Sequence, residues 1–154
     1  MTYKFKRKPR PYQLAALQKA LELDNAIALW FDPGLGKTKV AIDFSAIKYV
    51  KEEARKVLVI CPLSAIGVWE EELELDYPFK VSVTPIVGDM KDRIETLNKV
   101  LTSKSSTQCF IIINYDSLRN DKVSKMIKKW KPNILIVDEM HYCKNAQAQR
   151  TKSV

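Results

Sequence analysis

Short apolar runs alternate with stretches of helical period along this chain, and that alternation limits its folds more than any other feature. Ala26 to Phe31, Val57 to Cys61, Lys80 to Val87, Phe110 to Asn114 and Ile134 to Val137 have the length and apolar character of strands. Between them the period changes. Leu14, Leu17 and Leu21 mark a helix over Tyr12 to Leu23, after Pro9 and Pro11 have kept the chain extended. Val40, Phe44 and Ile47 mark a second helix, and Ser64 to Asp76 a third. Asp89 to Leu101, through Met90, Ile94, Leu97 and Leu101, and Val123 to Trp130 complete the series. Strands separated by helices require crossover connections, which place helices on both faces of a parallel sheet. The expectation is an α/β, doubly wound layer without internal repeats.

With 154 residues and 46% hydrophobic content, the chain can bury one sizeable core. One domain is expected, preceded by a basic segment over residues 1–12 that carries Lys4, Lys6, Arg7, Lys8 and Arg10. No apolar run is long enough to cross a bilayer, and the basic N-terminus lacks the apolar stretch of a signal peptide. A soluble, cytoplasmic protein with no membrane partner is the expectation. Cys61, Cys109 and Cys143 are widely spaced and form no Cys-x-x-Cys pair, which favours reduced thiols over disulfides. His141 and Cys143 are too few to close a zinc site. The net charge of +8 suits a polyanionic partner but suits a solvated positive face as well.

The sharpest local signal is Gly34-Leu35-Gly36-Lys37-Thr38, between an expected buried strand and an expected helix. Free backbone N–H groups at such a turn, together with the start of a helix, attract phosphate oxygens. Gly34, Leu35 and Gly36 would cradle the phosphates. Lys37 would reach the β and γ groups, and the Thr38 hydroxyl would hold Mg²⁺. A general phosphate loop carries another glycine where this chain has Phe31, and a glycine turn with an incidental lysine is the plainer alternative. The second signal is the apolar strand Ile134 to Val137, which delivers Asp138 and Glu139 at its C-terminal end, where ligands of parallel sheets bind. Asp138 can hold Mg²⁺, and Glu139 can orient and deprotonate an attacking water. Alone, such a pair is often mere solvated punctuation. Beside a lysine loop it is the second half of one phosphate site.

These motifs carry a resemblance. Asp138-Glu139-Met140-His141 resembles the Asp-Glu-x-His box of superfamily 2 helicases. Asp32-Pro33-Gly34-Leu35-Gly36-Lys37-Thr38 resembles the Swi/Snf-type phosphate loop, which also lacks the extra glycine. Arg10-Pro11-Tyr12-Gln13 resembles the family's first motif, and Val59 to Ser64 with Trp69 resembles motif Ia. Asn114 to Leu118 is similar to motif Ib, and His141 to Arg150, with Lys144-Asn145, to the basic segment after the box. The motifs are individually loose, but their order is the family's, and together they span about Arg10 to Lys152.

What the resemblance implies is a RecA-like P-loop NTPase lobe, residues 13–154, that binds ATP with Mg²⁺ and takes part in translocation on duplex DNA without reading sequence. Gln13 would contact adenine, with Arg10 beside it in the nucleotide site. Tyr3, Phe5 and Tyr12 are aromatic candidates for stacking on the base. Pro62, Ser64, Asn114 and Tyr115 would lie in loops facing nucleic acid, although strand-end turns also use such residues. His141 would relay the nucleotide state to the DNA face, or be a polar residue bonded near Glu139. Lys122, Lys125, Lys128 and Lys129 line one helix, a pattern more common in solvated faces than in DNA tracks.

The 154 residues contain no motif III and no second RecA-like lobe with its arginine fingers, so a partner lobe in cis or in trans is expected. Two further classes stay open. One is a non-catalytic DNA-binding or regulatory module that keeps the fold, against which Lys37, Thr38, Asp138 and Glu139 speak. The other is the ATPase lobe of a restriction or nuclease subunit.

Overall fold

The computed structural model of the protein describes residues 3–23 and 36–138. Among these residues the alternation read from the sequence becomes a four-stranded, all-parallel sheet. Its strands are β1 (Lys56–Cys61), β2 (Val81–Pro85), β3 (Gln108–Asn114) and β4 (Ile134–Val137), in the order β2-β3-β1-β4. The strand expected over Ala26 to Phe31 lies outside the described residues. The helices are α1 (Pro11–Leu23), α2 (Lys37–Val50), α3 (Ile66–Asp76), α4 (Met90–Thr102) and α5 (Asp121–Trp130).

Side chains alternate across the sheet and build two cores. Val57, Val59 and Cys61 of β1, with Phe110 and Ile112 of β3, pack under α2 and α3 through Ile42, Ala46, Ile66, Trp69 and Leu73. Leu58 of β1, with Ile111 and Ile113 of β3, packs on the other face under α4 and α5 through Leu97, Val123, Met126, Ile127 and Trp130. Burial on both faces is why β1 and β3 read as continuous apolar runs.

Several expected boundaries move for local reasons. The first helix begins at Pro11 itself, because a proline at the first helical position lacks an N–H that would have had no partner anyway. Its buried positions are Gln13, Leu17 and Ala20, whereas Leu14 is exposed. Ser64 belongs to a 3₁₀ turn, Leu63–Ala65, that precedes α3. At α4, Asp89 and Asp92 form a reciprocal capping box, so the helix starts one residue later than the apolar period suggests. β2 ends at Pro85, which cannot donate to a ladder and sits on an edge strand among the described residues.

The basic N-terminal segment is a strap rather than a loose arm. Arg7 grips Asp76 through two hydrogen bonds of 2.7 Å, and Lys6 donates to the Glu74 carbonyl at 2.6 Å. The Tyr3 hydroxyl donates to Asp43 at 2.8 Å, and Phe5 lies beneath the Lys39 ammonium at 5.7 Å. Lys39 closes the network: it is buried and bonds Asp43 at 2.9 Å and Asp76 at 3.4 Å. The strap, α2 and α3 are thereby joined through buried charge.

The two carboxyls differ in kind. Burial pushes Asp43 upward, more than Lys39 and Tyr3 pull it down. Burial also acts on Asp76, but hydrogen bonding from Arg7 and the charges of Lys39 and Arg7 outweigh it and hold that carboxyl below its ordinary value of 3.8. The Asp76 contribution to stability is therefore complete above 3.8 and is lost as pH falls through the lower folded-state value. Asp76→Asn should lower stability by about 2 kcal/mol at neutral pH, the scale of hydrogen bonds to a charged group. Asp43→Asn should cost less, because it removes a charge that burial disfavours. Urea unfolding of the two variants checks this, and the reverse ranking would contradict the account.

Candidate functional site

Parallel strands end on one edge, and the registers Cys61↔Asn114 and Ile60↔Val137 bring the ends of β3, β1 and β4 nearly level there. After β1 come Pro62 and Ser64, after β3 comes Tyr115, and after β4 comes Asp138. The start of α2 faces the same edge. Gln108, at the opposite end of β3, donates to the Ser45 carbonyl at 2.9 Å, and Tyr49 near the end of α2 donates to Ser106 at 2.9 Å. The C-terminal half of α2 therefore lies at the N-terminal edge of the sheet, and its first turn lies toward the strand ends.

That first turn suits an anion. Gly36 precedes α2 at φ 77°, a left-handed conformation that glycine adopts without strain, and among the described residues no side chain caps the helix there. Lys37 and Thr38, both half-buried, open the helix. A Cβ at Gly36 would stand 2.2 Å from the Gln13 amide nitrogen and would displace the end of that side chain, while the positive φ is what calls for glycine. Gln13 is buried, and its carboxamide bridges two segments. Its oxygen accepts from the Arg10 N–H at 2.8 Å, and its nitrogen reaches the Gly36 carbonyl at 3.4 Å. The Gln13 side chain, expected to contact adenine, is thus packed against Gly36 at the start of α2 and is not a solvent-exposed helix-start residue. Tyr12 stays near Arg10, with its hydroxyl 3.4 Å from the guanidinium, whereas Tyr3 and Phe5 belong to the strap.

At the end of β4, the Asp138 N–H continues the ladder to the Ile60 carbonyl at 2.8 Å. The Asp138 carboxylate accepts from the Trp69 indole N–H at 2.9 Å, and its carbonyl accepts from the Tyr115 hydroxyl. Cys61, alongside, is fully buried; burial, then the charge of Asp138, pushes its thiol up to about 12, so it is held as an unreactive thiol. Cys109 is free as well.

The residues expected to face nucleic acid divide. Ser64 is exposed, and Pro62 and Tyr115 are half-buried. Asn114 is buried, and its carboxamide oxygen accepts from Ser117, which itself accepts from Arg93 at 2.6 Å. Its side chain braces the turn after β3. Lys122, Lys125, Lys128 and Lys129 of α5 are exposed, and three of them flank a shallow depression with Asp121 and Met126. Gly34, Leu35, Glu139 and His141 lie outside the described residues, as does Cys143.

Sequence reasoning missed the roles of Trp69, Lys39, Asp43 and Asp76. Lys39 and Asp43 carried a signal in their i, i+4 spacing, but that spacing is more often a surface pair. Burial of Asp76 depends on partners from distant segments and leaves no local trace.

A family model described as "Type III restriction enzyme, res subunit" matches residues 6–153. The chain is 32% identical over 146 residues to "Chromodomain-helicase-DNA-binding protein 1-like" of Danio rerio, an alignment covering 90% of this chain and 14% of that protein. It is 33% identical over 144 residues to the "SWI/SNF-related matrix-associated actin-dependent regulator of chromatin subfamily A-like protein 1 homolog" of Caenorhabditis elegans, covering 92% of this chain and 19% of that one. The chain thus spans under one fifth of the length of these two relatives. Among solved structures, the "Sulfolobus solfataricus SWI2/SNF2 ATPase core in complex with dsDNA" superposes with a TM-score of 0.65 at 24% identity, over 89% of this chain and 33% of that one. With its parallel sheet flanked by helices and its ordered motifs, the chain belongs to the helicase-like family described as Type III restriction enzyme, res subunit, and its fold is the RecA-like lobe of SWI2/SNF2-type ATPases.

Proposed function

We propose that this chain is the ATP-binding lobe of a DNA-dependent ATPase that couples ATP hydrolysis to movement along duplex DNA. The observation that carries the reading is one sheet edge. It gathers the uncapped start of α2, with Lys37 and Thr38, the half-buried Asp138 after β4, and the turns after β1 and β3. Phosphate suits the N–H groups of the helix start and the Lys37 ammonium. The hard oxygens of Thr38 and Asp138 suit Mg²⁺, whose chemistry when bound is to neutralise charge on the β and γ phosphates. Gln13 and Arg10 border the nucleotide, and Gly34 and Leu35 complete the loop. Glu139 orients and deprotonates the attacking water, and His141 relays the nucleotide state. Duplex DNA lies across Pro62, Ser64 and Tyr115, held by backbone phosphates, with the buried Asn114 bracing the turn from within. This activity places the protein among the intracellular, DNA-associated motors. Among the described residues, no helix is long and apolar enough to cross a membrane.

The description of the matched family favours one second reading, the ATPase lobe of a restriction enzyme subunit. The chemistry at this edge would be the same, and the two differ in what the remainder of the protein does to DNA.

DNA binding tests the proposal. Contacts to phosphates rather than base edges predict weak affinity, indifference to sequence and a steep fall with salt, about 0.9 log units per log unit of salt for each phosphate neutralised. Fluorescence anisotropy on unrelated duplexes at several salt concentrations measures this. A sequence-specific footprint that survives high salt would refute the DNA-track assignment.

A further inference from the structure

α3 and α5 lie on opposite faces of the sheet and turn opposite charges outward. α3 packs on one core through Ile66, Trp69 and Leu73, and α5 packs on the other through Val123, Met126, Ile127 and Trp130. The outer face of α3 carries Glu70, Glu71 and Glu74, all exposed, between Val68 and Leu75, which are 51% and 48% exposed. Val68, Glu71 and Leu75 have the i, i+3, i+7 spacing of a single helix stripe. These carboxylates do nothing for the helix that bears them. Glu70 and Glu74 stand one turn apart as like charges, and Glu74 sits in a last turn without a basic residue, at the negative end of the helix dipole. A chain of net charge +8 keeps this acidic face nonetheless.

α5 is its complement. Lys122, Lys125 and Lys129 have the same i, i+3, i+7 spacing, and with Asp121 they ring a shallow depression that includes Met126. Among the described residues, neither these lysines nor Glu70, Glu71 and Glu74 enter a salt bridge. The helices are 11 and 10 residues long, about 16 and 15 Å at a rise of about 1.5 Å per residue, so the two stripes match in length.

We propose that the α3 face of one copy of this chain docks on the α5 face of a second copy, with Leu75 seated over Met126 and Glu71 and Glu74 among Lys122, Lys125 and Lys129. Within one chain the sheet separates the two faces, so only another molecule can bring such faces together, and a second copy carries both. Duplex DNA would suit the lysines alone. Its phosphates gain nothing from an apolar floor or from the Asp121 carboxylate, and the α3 face repels them. Each docked copy leaves one face of either kind free, so the contact runs head to tail and repeats rather than closing as a two-fold dimer. Single helices facing each other make a small interface, so the association is weak, rests on several charges at once and loosens in salt.

Sedimentation velocity on the full 154-residue chain, over a range of protein concentrations at low and high salt, tests this. At low salt the wild type should sediment faster as its concentration rises and should pass beyond the dimer. It should return to the monomer at about 1 M salt, where the Debye length has fallen to about 3 Å. Glu71→Gln with Glu74→Gln, and separately Lys125→Gln with Lys129→Gln, should each remain monomeric at low salt. Mixed in equal amounts, these two double variants should form a one-to-one pair that grows no further, because each keeps the face the other lacks. Leu75→Gln should weaken association with every charge in place. All five positions are exposed, so circular dichroism should show each variant folded like the wild type. A wild type that stays monomeric at low salt overturns the inference, as do a double variant that associates like the wild type and a mixture that stays monomeric. Wild-type association by Leu75→Gln overturns the seating over Met126. A monomeric wild type whose Lys125→Gln, Lys129→Gln variant loses affinity for duplex DNA assigns α5 to nucleic acid instead.

Discussion

Supplying a second RecA-like lobe, in cis or as a separate chain, should raise ATP turnover by about 10³-fold or more and make it dependent on duplex DNA. The described lobe offers a helix start for phosphate, Lys37 and Thr38 at its opening, and Asp138 across the strand ends. Those groups bind and orient. Phosphoryl transfer also places charge on the transferring oxygens at the transition state, and an arginine finger is the general device that meets that charge. Without that cation, the nucleotide and water can be positioned while the barrier stays high. DNA spanning both lobes would close the cleft, exclude water and bring the arginine into place, which is why stimulation should appear together with the second lobe. Steady-state ATPase assays on the 154-residue chain, alone and complemented, with and without duplex, measure this. Fast DNA-stimulated turnover by a demonstrated monomer of this chain would show that the facing lobe is dispensable.

Lys37→Ala should weaken ATP binding by about a hundredfold, or about 2.8 kcal/mol at 1.4 kcal/mol per tenfold, and leave the fold intact. Lys37 is half-buried at the opening of α2, whereas the core contribution of this helix comes from Val40, Ile42 and Ala46 deeper in it. The neighbouring Lys39 provides the contrast. Its ammonium is buried between Asp43 and Asp76, so Lys39→Ala should act on stability, by leaving two carboxylates near each other without their shared cation. Calorimetry for ATP and urea unfolding for stability separate the two effects. Equal ATP affinity for Lys37→Ala and wild type would remove the phosphate-loop assignment.

The adjacent lysines show where the sequence was legible and where it was not. Lys37 could be proposed as a phosphate ligand because the expected loop is local: glycines, lysine and hydroxyl lie within five consecutive residues, and their order carries the expectation. Lys39 could not, because its partners come from the next turn of its helix, from the end of α3 and from the N-terminal strap. The same contrast holds at the strand ends. Asp138 announced itself by following Ile134 to Val137, but nothing in the spacing from Trp69 said that an indole would hold its carboxylate. Asn114 was expected to face nucleic acid, yet its side chain is buried against Ser117, which also accepts from Arg93 of α4.

By itself, then, the sequence determined the class of fold and, among the described residues, the order of strands and helices along the chain, and it supplied the expectation of a phosphate loop and an acidic strand end. Each of these rests on periodicity or on contiguous residues, which fold by local rules. Tertiary structure alone decided the strand order β2-β3-β1-β4 and the conversion of a basic N-terminus into a strap anchored on Asp43 and Asp76. It also decided the convergence of Trp69 and Tyr115 on Asp138. Burial of a polar group is unfavourable unless a partner meets it, and those partners are supplied by segments up to 69 residues away in the chain.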